Sequence, residues 1–114
     1  MKILLAGATG VVGRRLIPLL VRAGHEVAGT TRRPERTGMI RDLGAAPVLL
    51  DVLDAAAVRD VMAAERPDAV VHQLTDLSAE DFEANSRLRI VGTRNLVDAA
   101  KGAGVRTMVA QSIA

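Results

Sequence analysis

Apolar residues along this chain come in short blocks that switch between two periods. Ile3-Leu-Leu-Ala6 is an unbroken hydrophobic run that stops at Gly7, the length of a buried strand and too short for a helix. From Val11 to Ala23, the residues Val12, Leu16, Leu19, Leu20 and Ala23 recur at helical spacing and run into Gly24, which predicts a helix closed by a glycine cap. Pro18 lies inside it and removes a backbone bond to Arg14, so a kink or a shift in packing is expected there. A second strand follows at Glu26 to Thr30. The polar stretch Thr31 to Thr37 leads into a short helical segment ending at Leu43-Gly44, before a third strand at Pro47 to Leu50. Asp54 suits the N-cap of a helix over Ala55 to Glu65, Pro67-Asp68 makes a turn, and Ala69-Val-Val-His72 reads as a fourth, buried strand. Ser78-Ala-Glu-Asp81 offers capping chemistry for a helix whose stripe, Phe82, Leu88, Val91 and Leu96, continues toward Ala103. Gly102 and Gly104 stop it, and Val105 to Gln111 supplies a fifth strand.

Five strands joined by helices define an α/β class with a parallel sheet wound on both faces by right-handed crossovers. The expected strand order is 3-2-1-4-5. No Pro/Gly/Ser-rich linker divides the chain, so residues 1–114 read as one domain.

The chemistry sits first at the end of strand one, in Gly7-Ala-Thr9-Gly10-Val11-Val12-Gly13. Gly7 permits a tight bend, Gly10 lets backbone N–H groups approach a pyrophosphate, and Gly13 lets the following helix pack closely on the sheet. A diphosphate would meet the N-terminus of that helix. The turn follows a strand, opens a helix and precedes a second strand, the context a dinucleotide-binding unit requires.

Composition narrows the rest. Hydrophobic residues are 49% of the chain but only Phe82 is aromatic, so the core must be aliphatic and base stacking on aromatic rings is nearly excluded. Fifteen basic residues against thirteen acidic ones give a net charge of +2, and their dispersal argues against a nucleic-acid partner. The absence of cysteine excludes disulfides and thiol nucleophiles and suits a cytoplasmic protein. His25 and His72 show no metal-ligand spacing, so no metal site is expected, and His72 reads as a packing residue. No apolar run is long enough for a membrane span, so no membrane partner is expected. An uncovered sheet edge can pair with a second copy, which leaves a homo-oligomer open.

With these elements placed, the chain resembles the N-terminal part of the extended short-chain dehydrogenases/reductases, the NAD(P)-dependent epimerase/dehydratase family. The resemblance rests on Gly7-x-x-Gly10-x-x-Gly13, Gly24-His-Glu-Val27 before strand two, Asp51-Val52 after strand three, and Gly92-Thr-Arg-Asn-Leu96 in the last helix. It implies a Rossmann-type fold binding NAD or NADP, with Asp51 and Val52 near the adenine and Gln73, Leu74 and Thr75 beside the cofactor after strand four. Family members that use NAD place an acidic residue at the end of strand two for the ribose 2′-OH. Here Thr31 stands there, followed by Arg32 and Arg33, whose guanidinium forks suit a 2′-phosphate. NADP is therefore the expected cofactor, with NAD as the alternative.

The chain also departs from the family pattern. Arg89 occupies the place where many members carry a cofactor-contacting asparagine; Asn85 lies one turn earlier, and the roles of Asn85, Arg87, Arg89 and Arg94 are open. Val109-Ala-Gln-Ser112-Ile-Ala114 resembles the segment leading to the family's catalytic hydroxyl, but Ser112 sits one position early, which makes it a weak catalytic candidate. The family's Tyr-x-x-x-Lys acid/base pair has no counterpart, since the chain holds no tyrosine and its lysines are Lys2 and Lys101. The expectation is a cofactor-binding N-terminal domain, inactive alone, of a longer reductase, epimerase or dehydratase working by hydride transfer on a small-molecule substrate such as a nucleotide sugar. The alternative is a catalytically silent NADP(H)-sensing regulator.

Overall fold

In the computed structural model, residues 1–8, 11–72 and 82–110 are described, with the side chains of 11, 12, 82–89 and 110 set aside. Strands β1 (Lys2–Ala6), β2 (Glu26–Thr31), β3 (Ala46–Leu49), β4 (Ala69–His72) and β5 (Thr107–Ala110) alternate with helices α1 (Val11–Arg22), α2 (Thr37–Asp42), α3 (Ala55–Glu65) and α4 (Phe82–Gly102). They form one five-stranded sheet of order β3-β2-β1-β4-β5, with every pairing parallel. The expected α/β class, parallel sheet and strand order are all observed.

Strand β1 explains the centre of the molecule. Its alternating residues are buried on opposite faces, as the two-residue period of a strand requires. Leu4 and Ala6 join Val58, Met62, Val70 and Leu96 on the side covered by α3 and α4. Leu5 joins Ala8, Ile17, Val27 and Ile40 on the side covered by α1 and α2. Full burial of each Leu, Ile, Val or Met among them contributes about 1.5–3 kcal/mol, so a core of aliphatic residues and methionine is built from many modest pieces.

Helix α1 continues through Pro18 to Arg22. Helices α1, α2 and α4 close at Gly24, Gly44 and Gly104 with positive φ, whereas α3 closes on Arg66 at φ 46°. Pro34–Arg36 forms a turn of 3-10 helix with proline at its start, inside the stretch read from sequence as a polar loop. Proline's fixed φ and missing N–H suit that first position. The proposed helix start at Ser78 to Asp81 and the strand residue Gln111 lie outside the described residues. No helix among the described residues is long and apolar enough to cross a membrane.

One glycine of α2 has no structural need to be glycine. Gly38 is exposed and a Cβ built on it meets nothing within 4 Å, so Gly38→Ala is expected to stabilise the fold by about 0.5 kcal/mol by restricting the unfolded chain. Urea unfolding that shows a lower midpoint would contradict the open environment described for this position.

Candidate dinucleotide-binding site

The site is assembled at the carboxyl ends of the strands. Registers align Ala6 with His72 and His72 with Ala110, and Thr31 with Leu49, so the carboxyl ends of β1, β2, β3 and β4 share one edge of the sheet. Chain direction switches sides between β1 and β4, where open α/β sheets leave a crevice for ligands.

The glycine turn is locked to β2. Gly7 has φ 83°, its N–H donates to Thr30 Oγ1 at 3.2 Å, and the Ala8 N–H donates to the Thr30 carbonyl at 3.1 Å. Gly13, in the first turns of α1, faces the same segment. A Cβ on Gly13 would lie 2.6 Å from the Ala8 carbonyl oxygen and 2.8 Å from that of Gly7, so the helix approaches the turn as closely as only glycine allows. The first turn of α1 carries no acidic residue, which leaves its positive end suited to an anion. These features fit a diphosphate. Thr9 and Gly10 lie outside the described residues; Val11 and Val12 open α1.

A residue that sequence reading did not single out completes this packing. A Cβ on Gly29, in the middle of β2, would meet Ala8 Cβ at 2.8 Å and Ile40 Cγ2 at 3.1 Å. A glycine inside a strand is itself the signal of such close approach.

At the end of β2, Thr31 is buried and its Oγ1 accepts from the Arg33 N–H at 3.1 Å. Arg32 and Arg33 are exposed, and Thr30 to Pro34 contains no carboxylate. After β3, Asp51 is exposed while Val52 is buried among Leu50, Val58 and Leu96. Asp51 Oδ1 accepts from the Leu53 N–H at 3.0 Å. The turn therefore sends the carboxylate out and the valine side chain in.

His72 ends β4 and is 3% exposed. Its Nε2 and Thr93 Oγ1 on α4 are hydrogen-bonded at 2.6 Å, while its buried Nδ1 has no partner among the described residues. Burial lowers the pKa of this imidazole below its ordinary 6.5, as expected for a base whose charged form is poorly solvated. The packing role read from sequence fits, with an added tie to α4. Below pH 6.5 the unfolded chain takes up a proton here that the folded chain resists, so stability is full above that pH and declines as pH falls through it. A His72→Gln variant is expected to show a flatter dependence of urea midpoint on pH between 7 and 5 than the parent. Parallel curves would remove His72 as the cause.

Gln73, Leu74, Thr75 and Ser112 lie outside the described residues. Asn85, Arg87 and Arg89 fall on α4, and Arg94 is exposed. Among the described residues no group of three or more His, Asp or Glu side chains could hold a metal ion.

Known proteins share this arrangement. The sequence pattern of the NAD dependent epimerase/dehydratase family matches residues 3–113, and the chain belongs to that family. It is similar to a 3-diazoavenalumate denitrifying reductase from a Streptomyces species, 43% identical over 125 aligned residues that cover 100% of this chain and 38% of the reductase. It is also similar to the dTDP-4-dehydrorhamnose reductase of Streptomyces griseus, 31% identical over 105 residues, 89% of this chain and 30% of that protein. The UDP-glucose 4-epimerase of Thermus thermophilus, solved in complex with NAD, superposes with a TM-score of 0.77 at 26% identity over 95% of this chain and 36% of its own. The chain thus spans less than two-fifths of the length of each of these relatives.

Proposed function

We propose that residues 1–114 are the N-terminal nucleotide-binding domain of an NADP-dependent reductase, epimerase or dehydratase. The observation that carries the cofactor preference is the end of β2, where exposed Arg32 and Arg33 follow a buried Thr31 and no acidic side chain stands ready for a ribose 2′-OH. The Thr31 hydroxyl oxygen is engaged by the Arg33 N–H, which fixes the backbone from which both guanidinium groups extend. Fork-shaped, permanently charged donors on that backbone match a phosphate monoester.

In this reading, the turn around Gly7, Thr9, Gly10, Val11, Val12 and Gly13 holds the pyrophosphate, and Asp51 and Val52 border the adenine. Gln73, Leu74 and Thr75, next in sequence after β4, are assigned to the cofactor on the family resemblance. The bound dinucleotide supplies hydride chemistry at nicotinamide C4, while the protein contributes orientation and electrostatics. On the family resemblance, proton exchange with substrate is assigned to residues outside these 114, with Ser112 kept as a weak catalytic candidate. A nucleotide sugar as substrate draws support from the similarity to a dTDP-4-dehydrorhamnose reductase and a UDP-glucose 4-epimerase; the fold itself does not select a substrate. The regulatory alternative draws on the lack of tyrosine in these residues, an argument of little weight for a stretch that spans less than two-fifths of its relatives.

The test is a calorimetric titration of the purified chain with NADPH and NADH at fixed ionic strength. Tighter binding of NADPH is expected. Equal affinities, or tighter NADH, would overturn the preference while leaving the dinucleotide site standing.

A further inference from the structure

The turn between β3 and α3 is held by a dense set of local bonds. Asp51 Oδ1 accepts from the Leu53 N–H, the Asp51 carbonyl accepts from the Asp54 N–H at 3.0 Å, and Asp54 Oδ1 accepts from the Ala57 N–H at 3.2 Å to cap α3. The Val52 carbonyl stands outside this set. It accepts instead from Asn95 Nδ2 on α4 at 2.8 Å, across 43 residues of sequence. The Val52 side chain is buried against Val58 and Leu96, so this peptide is gripped by the core on one side and by an amide on the other. Two residues before Asn95, Thr93 ties the same helix to His72 at the end of β4. Helix α4 therefore bridges the end of a central strand and the turn beyond the outer strand.

We propose that Asn95 is a positioning residue for the adenosine half of the dinucleotide. It sets the height of the Val52-Leu53 peptide above the sheet edge, and through that peptide's N–H, which donates to Asp51 Oδ1, the direction of the exposed Asp51 carboxylate. The chain of causes is short: Asp51 Oδ1 is committed to the turn's own backbone, so the carboxylate goes where the turn goes, and Asn95 fixes the turn. An acceptor placed this way suits the amino group of an adenine ring, and displacement of about an ångström is enough to spoil such a contact. The inference rests on the dinucleotide reading above.

The test compares the parent chain with Asn95→Asp and Asn95→Ala. Asn95→Asp keeps the shape but turns an oxygen toward the Val52 carbonyl; Asn95→Ala removes the donor and leaves the carbonyl to water. Calorimetry with NADPH and with ADP-ribose is expected to show both ligands weakened by the same factor, about five- to ten-fold for Asn95→Asp and less for Asn95→Ala. Amide hydrogen exchange without ligand should quicken at Leu53 and Asp54 and stay unchanged at Ile3 to Leu5. Loss of NADPH affinity without loss for ADP-ribose would overturn the inference. So would unchanged binding in both variants, or faster exchange spread equally over β1 and the turn, which marks general destabilisation. A folded parent that binds neither ligand would overturn the dinucleotide reading and this inference together.

Discussion

Gly13→Ala is expected to cost the fold about 3 kcal/mol, toward the upper end of what overpacking a core does. The added methyl would lie 2.6 Å from the Ala8 carbonyl oxygen and 2.8 Å from the Ala8 carbonyl carbon, and these are backbone atoms, not the free end of a flexible side chain. Nor can the turn retreat. Gly7 and Ala8 are bonded to Thr30, and Ala8 presses on the backbone of Gly29. Helix α1 must move away instead, which separates its first N–H groups from the place where a diphosphate would bind. Urea unfolding should show a midpoint lowered by more than about 1 M, and NADPH affinity should drop together with it. Gly102→Ala is the control, because a Cβ there meets nothing within 4 Å. A Gly13→Ala protein as stable as its parent would mean that the helix does not approach the turn as closely as described.

The second large effect concerns cofactor choice. Replacing Arg32 and Arg33 together by alanine is expected to weaken NADPH about ten- to hundred-fold and to leave NADH nearly unchanged, the loss of one hydrogen bond between charged groups being worth roughly 1.5–3 kcal/mol. Both side chains are exposed, so the parent's preference for NADPH should shrink as salt is raised, when screening shortens the reach of surface charges. Thr31→Asp would work from the opposite direction. A carboxylate there repels a 2′-phosphate and can accept from a ribose hydroxyl, shifting preference toward NADH. Titration of both dinucleotides against the three proteins decides the matter; a double alanine variant with an unchanged affinity ratio would remove the arginines from the phosphate site.

Much of the architecture was legible because its signals are local. An apolar run breaking at Gly7, a helical stripe closing at Gly24 and an N-cap at Asp54 each declare themselves within a few residues, and the Asp54 bond to the Ala57 N–H is found as expected. Boundaries moved where a backbone partner outside the strand itself decided them. Strand β5 begins at Thr107 and not at Val105, because the Val105 N–H is already donated to the Ala100 carbonyl in closing α4. Strand β3 begins at Ala46, one residue earlier than its apolar pattern suggests, because Ala28 of β2 pairs with it. The parts of the site that sequence could not offer are contacts between distant segments: Gly29 against Ala8, Thr93 with His72, Asn95 with Val52. Parallel sheets join residues separated by whole strand-helix units, and no periodicity within one segment records its neighbour.

The same topology governs how the chain acquires its shape. Strand β1 pairs on one flank with β2 and on the other with β4, so a nascent chain must be extended through His72 before the central strand can close both of its edges. Until then Leu4 lacks the cover that Val70 and Leu96 later provide. Such delayed long-range pairing slows folding and exposes an unsatisfied edge to other chains. Synthesis that pauses before β4 is therefore expected to leave the growing polypeptide prone to aggregation, and chaperone capture should be strongest in that interval.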